Sequence, residues 1–448
     1  MSETLTVVAD RQVMGEIRCE RSDRHLPRLK FSHEDRWRSW GGAYPLSLQM
    51  PLSESAHEHA KIEPWMRNLL PDSRTILSHW GVRFQVPPND PFAMLAAVGE
   101  DCPGAIQLVR PERMSAVLRD DRERVVWVSD ADIAERLNRL RHNRAAWRLE
   151  ADAGQFSLAG AQAKTALLCD GRRWGIPSGP TPTTHILKPP ATGFEGLAEN
   201  EHVCLSLARA LGLPAAETTV RTFEGESALV VTRYDRVRRD DGSIRRLHQE
   251  DFCQALGIPP EQRYEQHGGH GSGTLSELLW GHSSAPADDV WAFAGANVFN
   301  WLIGGTDAHA KNYSVMIGSK GRIRLAPLYD VASAVPHVHP KRLRLANRIG
   351  GKYRTQDIRA RHWKRFATDV NLPVEKVIDM GLLMADRLPE ELRRITASAR
   401  TQGIDHPIME SLVNQLTDRA RYCAGVLQGQ AMPEGHAGFG RRPRGTAR

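Results

Sequence analysis

The spacing of hydrophobic and polar residues changes along the chain, and the changes indicate separate regions. Residues 1–112 combine strand-like stretches (TLTVVA, LAAVGE, GAIQLV) with a helical stretch, KIEPWMRNLL, and turn clusters such as PPNDP. Residues 113–150 hold a short strand, RVVWVSD, and a helix, ADIAERLNRLRHNR, that begins at Ser129 or Asp130. We therefore predict an N-terminal accessory α/β subdomain over 1–112 and a connector over 113–150.

The middle of the chain has a strand-rich pattern, and the remainder has a helical one. From residue 151 to about 235, KTALLCD, THILKPP, ETTVRTF and SALVVTRYD favour strands, and ENEHVCLSLARALG favours a helix. Beyond residue 248, helical spacing runs through QEDFCQALG, TLSELLWG, DDVWAFAGANVFNWLI, WKRFATDV and two longer stretches. These patterns predict an α+β fold with a sheet-rich lobe over 151–247, a helical lobe over 248–430 and a disordered basic tail over 431–448.

Length and composition indicate a globular protein of more than one domain. A chain of 448 residues is too long for a single core, and 41% hydrophobic with 25% charged residues is ordinary for folded proteins. The N-terminus lacks an apolar core of signal-peptide length. The longest apolar-rich stretch, 290–303, contains Asn297 and Asn300 and is too short for a membrane span. We expect a cytoplasmic protein that does not bind a membrane.

Charge and cysteine content narrow the function classes only slightly. The net charge is +7, but residues 431–448 hold four arginines against one glutamate and so contribute +3 of it. The remaining charge fits a solvated basic surface as well as a DNA-binding face, and no helix-turn-helix or zinc-finger signature is visible. The six cysteines form no C-x-x-C pair, so we expect buried thiols rather than a zinc site or disulfides.

The stretch NWLIGGTDAHAKNYSVMI carries the clearest chemistry. A helical pattern ends at Gly304 and Gly305, a polar loop follows, and a hairpin pattern then leads to Asp330. In phosphoryl transfer, a loop carboxylate orients the acceptor hydroxyl, while an amide oxygen and a second carboxylate hold Mg²⁺ against the nucleotide phosphates. Asp307, Asn312 and Asp330 fit these three roles in this order.

The loop by itself leaves two questions open. Protein kinases have the same interval of five residues between the catalytic Asp and the metal-binding Asn. The Asp-x-His order of Asp307 and His309 also occurs in lipid kinases of the phosphatidylinositol type, so the acceptor is undetermined. The same residue types commonly cap loops in proteins without any catalytic role.

The sheet-rich region adds four weaker signals in the order that a nucleotide-binding lobe requires. Lys188 ends the strand THILKPP, where a lysine can neutralise phosphates, and SLAGAQAKTALL supplies a loop of small residues at 157–168. The backbone from Val231 to Tyr234 could contact an adenine edge, and Glu201 could pair with Lys188. Each signal has a structural alternative. Lys188 could be an exposed strand lysine, and the small-residue loop a tight turn. The strand could be a core strand that ends in the salt-bridged RYDR, and Glu201 could be a helix-dipole partner.

Taken together, these stretches resemble the HipA family of type II toxin serine/threonine kinases. The resemblance is strong over about 150–335, and YPLSLQMPL, WMRNLLPD and AAVGEDCPGAIQLV resemble the accessory subdomain of the family. It implies a protein-kinase-like bilobal fold, with ATP and Mg²⁺ as cofactors. It also implies a toxin that phosphorylates a translation component, in the best-known members glutamyl-tRNA synthetase. The implied partner is a HipB-like helix-turn-helix antitoxin that bridges the toxin to operator DNA.

The resemblance also implies roles for individual residues. Asp307 corresponds to the catalytic base, Lys188 to the phosphate-binding lysine, and Ser157 to the autophosphorylation site. Asn312 and Asp330 correspond to the Mg²⁺ ligands. The other residues that we predict in the cofactor site are Gly160, Ala161, Gln162, Val231, Arg233, Tyr234 and His309.

Two residues depart from the pattern of the family, and two other functions remain open. Ala163 stands where many members have an acidic residue, and Ala308 where a glycine is common, which affects loop mobility and substrate choice. A lipid kinase fits the Asp-x-His order, although no amphipathic or polybasic segment precedes the tail. A catalytically weak co-repressor that binds its antitoxin on DNA is the alternative outside enzymes, and it would not need Lys188 together with the Asp307 loop.

Overall fold

Most strands and helices lie where the hydrophobic pattern predicts them. The structure is a computed structural model that describes residues 2–22, 25–118, 125–143, 157–178, 181–190, 193 and 195–430. The strands are β1 (Ser2–Ala9), β2 (Gln12–Ser22), β3 (His25–His33), β4 (Ala56–Glu58), β5 (Gln107–Val109), β6 (Val125–Val128), β7 (Thr165–Cys169), β8 (Trp174–Pro177), β9 (His185–Lys188), β10 (Thr218–Phe223), β11 (Glu226–Thr232), β12 (Arg236–Arg238), β13 (Ile244–Arg246), β14 (His248–Asp251), β15 (Ser314–Ile317), β16 (Ile323–Leu325), β17 (Arg344–Ile349) and β18 (Lys352–Arg354). The helices are α1 (Asp35–Ser39), α2 (His59–Asn68), α3 (Arg74–Phe84), α4 (Pro91–Val98), α5 (Met114–Leu118), α6 (Asp130–His142), α7 (Leu197–Ala210), α8 (Phe252–Leu256), α9 (Ser272–His282), α10 (Pro286–Ile303), α11 (Ala360–Asp369), α12 (Val374–Thr401) and α13 (Pro407–Leu427). The predicted α+β class is confirmed.

The chain packs into two compact units, each made of segments that are not consecutive. The first unit comprises Met1–Ala191, Arg221–Arg263 and Ser314–Ala326. The second unit comprises Thr192–Val220, Tyr264–Tyr313 and Pro327–Arg448. The domain boundaries predicted from the sequence, at 112, 150 and 247, stay a prediction. The predicted tail over 431–448, residues 119–124 and 144–150 of the predicted connector, and residues 151–156 lie outside the described residues.

The first unit begins with a five-stranded sheet in the order β4-β3-β2-β1-β5. The hairpin between β1 and β2 turns at Asp10 and Arg11, whose φ angles of 48° and 62° match the twist that tight two-residue hairpins require. We predicted a strand in LAAVGE, and this prediction is wrong because α4 covers its first four residues. Asp90 caps that helix by accepting a 3.0 Å hydrogen bond from the Ala93 amide, and Pro91 occupies the first turn.

The other large sheet contains the strands predicted in the middle of the chain. Its order is β10-β11-β9-β7-β8-β6, so KTALLCD, THILKPP, ETTVRTF and SALVVTRYD are confirmed as strands, and β8 is an addition. Helix α6 packs on this sheet through Ile133 and Leu137, which share a core with Leu167, Leu187 and Val230. A reciprocal capping box between Ser129 and Asp132 starts α6 at the predicted position.

A three-stranded sheet of β14, β15 and β16 completes the first unit. We predicted that QEDFCQALG is helical, and this is wrong for its first three residues, which belong to β14 and pair with β15. The helix α8 starts only after Asp251, whose carboxylate accepts a 2.9 Å hydrogen bond from the Gln254 amide. A strand pairing distant in sequence therefore overrides a short helical pattern.

The second unit is mainly helical, as its 3.6-residue periodicity predicts. The long helix α12 packs against α7, α10, α11 and α13, and α10 is buried on nearly every side from Phe293 to Ile303. Within the part of the chain that is described, no helix is both long and apolar enough to cross a membrane. The cysteines are free thiols, and all are buried except the half-buried Cys169, as expected from the absence of paired spacing.

Candidate active site

The loop that carries Asp307 starts where helix α10 ends. Gly304 has a left-handed φ of 64°, and a Cβ atom at this position would lie 2.6 Å from Val335 Cγ2, so the position favours glycine. The Trp301 carbonyl, in the last turn of α10, accepts hydrogen bonds from Arg419 Nε at 3.1 Å and Nη2 at 2.6 Å. A buried arginine of α13 therefore satisfies the end of α10 and fixes the point at which the loop begins.

Hydrogen bonds within the loop fix its backbone from Asp307 to Asn312. The His309 amide donates to the Asp307 carbonyl at 2.8 Å, and the Asn312 amide donates to the His309 carbonyl at 2.9 Å. Asn312 Nδ2 donates to the Asp307 carbonyl at 2.7 Å, and Asn347 Nδ2 donates to the Ala308 carbonyl at 3.0 Å. Because the NH₂ group of Asn312 faces Asp307, its amide oxygen is directed away from that carbonyl and can accept a ligand.

The Asp307 carboxylate is supported on one side and open on the other. Its side chain is 64% exposed, and Oδ1 accepts a hydrogen bond from the hydroxyl of Tyr264. His309 is buried beside it, with Nε2 3.9 Å from Oδ1 and its ring edge-on to Tyr264 at 4.7 Å between centroids. An exposed carboxylate held in this way can accept a proton from a hydroxyl group brought from outside.

Asp330 is held in place by its neighbours in sequence. Its φ angle of 53° is left-handed, a conformation that Asp and Asn adopt more readily than most residues. The hydroxyl of Tyr329 donates to the Lys311 carbonyl at 2.9 Å. Ser333 Oγ donates to the Ile303 carbonyl at 2.6 Å, which ties this segment to the end of α10.

Asn200 of α7 ties the same segment to a second helix. Asn200 Nδ2 donates to the Ser333 carbonyl at 2.8 Å, and the Ser333 amide donates to Asn200 Oδ1 at 2.9 Å. Asn200 is fully buried, so both hydrogen bonds are protected from water. The second unit therefore joins the Asp307 loop and the Asp330 segment into one connected network.

The sequence did not identify Tyr264, Asn200 and Arg419 as parts of this site. Their partners lie 43, 133 and 118 residues away, respectively. No local motif marks them, since each is a common residue type in an ordinary helical or loop context. Only the packing of distant segments of the second unit brings them to their partners.

The first unit positions the small-residue loop over 157–164. Ser157 is buried, its amide donates to the Asp101 carbonyl at 3.1 Å, and its Oγ donates to the Leu69 carbonyl at 2.7 Å. Gly160 has a φ of 100° and forms a parallel bridge with Pro71, while the Asp72 amide donates to its carbonyl at 3.2 Å. Residues before position 112 therefore hold the loop from its start to Gly160.

Lys188 lies at the same end of the sheet as this loop. Strands β7 and β9 are antiparallel neighbours, and Thr165 at the start of β7 is opposite Leu187 near the end of β9. The loop before Thr165 and Lys188 therefore lie at the same end of these two strands. Lys188 is buried. Within the loop, which includes Ala161 and Gln162, Lys164 Nζ donates a hydrogen bond to the Ala159 carbonyl.

The strand end that we predicted to contact adenine also forms a buried ionic cluster. Val231 pairs with Ile186, and the Arg233 amide donates to the Thr184 carbonyl at 3.0 Å. The Arg233 side chain bonds to Asp235 at 2.9 Å. Tyr234 is bonded through its hydroxyl to Gln249 Oε1. The structure therefore contains the salt-bridged strand end that was the alternative for RYDR. The contact with adenine stays a prediction.

Asp101 is the centre of this ionic cluster. It lies 3.0 Å from Arg236 and 3.3 Å from Arg246, and it accepts a 2.7 Å hydrogen bond from the Thr183 hydroxyl. Burial alone would raise the pKa of Asp101, but the guanidinium groups of Arg236, Arg233 and Arg246 hold it well below its usual range. The carboxylate stays charged and joins the N-terminal region to the strands that follow.

The structure thus distributes the predicted site residues over both units. Asp307, His309, Asn312 and Asp330 lie in the second unit, and their loop and segment are joined by hydrogen bonds. Ser157, Gly160, Lys188 and Arg233 lie in the first unit, with the other residues of the predicted nucleotide site. Glu201 and Lys188 belong to different units, so their pairing stays a prediction.

The donor chemistry at the loop fits a magnesium ion. Asn312 and Asp330 offer oxygen ligands, which Mg²⁺ prefers, and Mg²⁺ usually takes only one or two protein carboxylates and completes its shell with water and phosphate oxygens. Among the described residues, no three His, Cys, Asp or Glu side chains are grouped closely enough to hold a metal ion by themselves. An amide oxygen and a carboxylate that share an ion with a nucleotide are consistent with this arrangement.

Comparison with known families gives two matches that cover most of the chain. Residues 156–394 match the HipA-like C-terminal domain, and residues 5–109 match the HipA N-terminal domain. The chain is 34% identical over 424 residues to the protein Y4mE of Sinorhizobium fredii, covering 93% of this chain and 97% of that protein. It is 29% identical over 376 residues to the serine/threonine-protein kinase toxin HipA of Shewanella oneidensis, covering 80% and 82%.

A solved structure confirms the predicted fold. HipA of Shewanella oneidensis, determined in complex with HipB and operator DNA, superposes with a TM-score of 0.80 at 23% identity. The match covers 95% of this chain and 98% of that one. The predicted protein-kinase-like α+β fold is therefore confirmed over nearly the full length.

Proposed function

Because this chain belongs to the HipA family of toxin–antitoxin serine/threonine kinases, we propose that Asp307 is the base for phosphoryl transfer from ATP to a protein hydroxyl. The observation that carries the assignment is the exposed Asp307 carboxylate on a backbone fixed by Asn312. The acceptor is the hydroxyl group of a serine or threonine. A lipid acceptor, which the Asp-x-His order of the loop had left open, is therefore not part of the proposed function.

The chemical step requires one proton to leave the acceptor hydroxyl as its oxygen attacks the γ-phosphorus. The Asp307 carboxylate orients this hydroxyl and accepts its proton, while the β-phosphate oxygen takes the electrons of the breaking bond. Tyr264 engages Oδ1 and so limits rotation of the carboxylate. Lys188 is buried at the end of β9, beside the small-residue loop, and it balances the negative charge of the phosphates.

Asn312 and Asp330 are the residues proposed to hold Mg²⁺. When bound, the ion would supply positive charge to the phosphate oxygens. The protein supplies fixed ligands: Asn312 is oriented by its bond to the Asp307 carbonyl, and Asp330 by the network that includes Ser333. The residues next to them, Tyr329 and Lys311, are joined by a hydrogen bond of 2.9 Å, which helps to keep the spacing of the two segments constant.

Ser157 is the proposed autophosphorylation site, and its burial determines how this reaction must occur. Its hydroxyl is bonded to the Leu69 carbonyl and is inaccessible to a second molecule. The start of the loop must therefore detach from residues 69–72 before Ser157 can accept a phosphoryl group. Once phosphorylated, the added charge of about −1.5 to −2 opposes a return to this buried position.

The biological role that we propose is arrest of growth through phosphorylation of an aminoacyl-tRNA synthetase, glutamyl-tRNA synthetase being the first candidate. A HipB-like helix-turn-helix antitoxin is the proposed partner, and it would bring the chain to operator DNA. Support comes from the family and from the solved complex of HipA, HipB and operator DNA of Shewanella oneidensis. The substrate and the partner are both inferred from relatives.

Expression without a partner tests this role. The wild-type chain should stop growth and protein synthesis, whereas Asp307→Asn should be harmless at the same expression level. The substitution Asp386→Asn, at an exposed position of α12, is the matched control and should remain toxic. Equal toxicity of the wild-type and Asp307→Asn chains would instead favour a co-repressor or another role that does not need catalysis.

A further inference from the structure

A cavity in the first unit lies among arginines that take no part in the proposed reaction. Its volume is about 330 Å³. Four arginines are among the residues that line it, together with Tyr44 and one acidic residue, Asp10: they are Arg245, Arg246, Arg322 and Arg324. The lining comes from the β1–β2 turn, the segment of Tyr44, the strands β13 and β14 and the β15–β16 hairpin, so the fold assembles it from four stretches.

The described lining residues carry more positive than negative charge. Asp10 Oδ2 lies 3.5 Å from Arg245 Nη2 and 3.4 Å from the Tyr44 hydroxyl, so this one carboxylate is already engaged. His248, which also lines the cavity, adds no charge at neutral pH because burial lowers its pKa to about 4. The lining thus holds four arginines and one acid, and Arg246 is also paired with a carboxylate outside the lining, that of Asp101. The cavity keeps a net positive charge and favours an anion.

The arginine in the wall is held rigidly from behind. Arg246 is only 9% exposed, and its Nε and Nη2 atoms both lie 3.3 Å from Asp101 Oδ1. Asp101 and Asp235 are shared by three buried guanidinium groups, those of Arg233, Arg236 and Arg246. The lining arginine is therefore preorganised, and a ligand would lose little conformational freedom of the protein by binding to it.

We propose that this cavity binds a small ligand through a phosphate group, either inorganic phosphate or a phosphate monoester. Guanidinium groups match phosphate oxygens with paired N–H donors, and several arginines suit a dianion better than a single carboxylate. A volume of about 330 Å³ is at the lower end of ligand pockets, which limits the occupant to the size of a small phosphate ester. Arg245 and Arg322 lie at the exposed rim, where they can close over the ligand.

Calorimetric titration of the full chain tests the proposal. The nucleotide site is first saturated with a non-hydrolysable ATP analogue, and inorganic phosphate or ribose 5-phosphate is then added at constant ionic strength. We expect one equivalent to bind, with affinity about tenfold lower or more in Arg245→Ala and in Arg322→Ala, as expected for a lost charge-assisted hydrogen bond. Arg36→Ala, an exposed arginine of α1, should bind like the wild type.

The outcomes separate the possible ligands and can overturn the proposal. Tighter binding of the sugar phosphate would identify a monoester, and equal binding would identify free phosphate. Circular dichroism of each variant excludes loss of fold as the cause of weaker binding. The proposal is wrong if the folded wild type binds neither probe, or if both rim variants bind like Arg36→Ala. Binding of DNA or RNA alone, with a steep salt dependence and no competition by phosphate, would also overturn it.

Discussion

The side-chain amide of Asn312 donates a 2.7 Å hydrogen bond to the backbone carbonyl of Asp307. One residue therefore has two proposed roles: its NH₂ group fixes the backbone of the proposed base, and its amide oxygen, which takes no part in that hydrogen bond, is a proposed ligand of Mg²⁺. These two roles can be separated by substitution, because Asp at position 312 retains an oxygen ligand but cannot donate this hydrogen bond.

We predict that Asn312→Ala loses both the hydrogen bond to the Asp307 carbonyl and the oxygen ligand, and that Asn312→Asp loses only the hydrogen bond. Asn312→Asp should keep Mg²⁺-dependent nucleotide binding and lose about two- to tenfold in turnover, the value of a net hydrogen bond of about 0.5–1.5 kcal/mol. Asn312→Ala should lose Mg²⁺ affinity as well. Steady-state kinetics over a Mg²⁺ series measures both effects, with Asn414→Ala, at an exposed position of α13, as the control. Indistinguishable Mg²⁺ curves for Asn312→Ala and the control would exclude Asn312 as a ligand.

Asp330 allows charge and backbone strain to be tested separately. Its φ of 53° is tolerated by Asn but unfavourable for Ala by about 1–2 kcal/mol. We predict that Asp330→Asn weakens Mg²⁺-dependent nucleotide binding without loss of stability, and that Asp330→Ala weakens binding and also lowers the melting temperature. Fluorescence titration of a labelled nucleotide and thermal unfolding give the two readouts. Unchanged binding in both variants would remove Asp330 from the metal site.

For Ser157, we predict phosphorylation that depends on release of the loop. Mass spectrometry of wild-type protein incubated with ATP should find phosphate at Ser157, and Asp307→Asn should remain unmodified. The phosphorylated form should bind ATP more weakly, because the loop can no longer return to its bond with the Leu69 carbonyl. A demonstrably active enzyme with no phosphate at Ser157 would reject this part of the account.

The stability of the first unit should depend on pH through Glu250. Burial raises the pKa of Glu250 to about 8, although its Oε1 atom accepts a 2.8 Å hydrogen bond from the Leu48 amide. Since the unfolded chain has the ordinary lower pKa, this group stabilises the fold at acidic pH, and its contribution is lost as pH rises toward 8. The expected slope is about 1.4 kcal/mol per pH unit between the two pKa values.

Urea unfolding at pH 5.5 and at pH 8 measures this effect. The free energy of unfolding should fall more steeply with pH in the wild type than in Glu250→Gln, which cannot ionise. Glu410→Gln, at an exposed position in the first turn of α13, should behave like the wild type. Parallel pH profiles for wild type and Glu250→Gln would show that Glu250 has the same pKa in both states.

Local patterns were sufficient to predict the elements that carry the site. The buried spacing of α10, its end at Gly304, the hairpin of β15 and β16 and the strand before Lys188 are all in the structure as predicted. These features depend on residues near each other in sequence, for which periodicity and glycine are informative. The polar loop and the five-residue interval from Asp307 to Asn312 could be read from the sequence for the same reason.

Contacts between distant segments could not be predicted in this way. Tyr264 contacts Asp307, Asn200 contacts Ser333 and Arg419 contacts Trp301 only because the second unit packs segments that are distant in sequence. The burial of Ser157 against Leu69 likewise depends on the folded N-terminal region. The strand predicted in LAAVGE is wrong for a related reason. The helix is started by the cap at Asp90, which lies outside this stretch.

The most direct test of the account is transfer of radiolabelled phosphate from ATP to a serine or threonine by purified protein, comparing wild type with Asp307→Asn. We predict that the substitution removes transfer while ATP binding is largely preserved, because the amide is isosteric with the carboxylate but cannot accept the proton. Asp386→Asn should transfer phosphate like the wild type. Undiminished transfer by a correctly folded Asp307→Asn protein would contradict the assignment of Asp307 as the catalytic base.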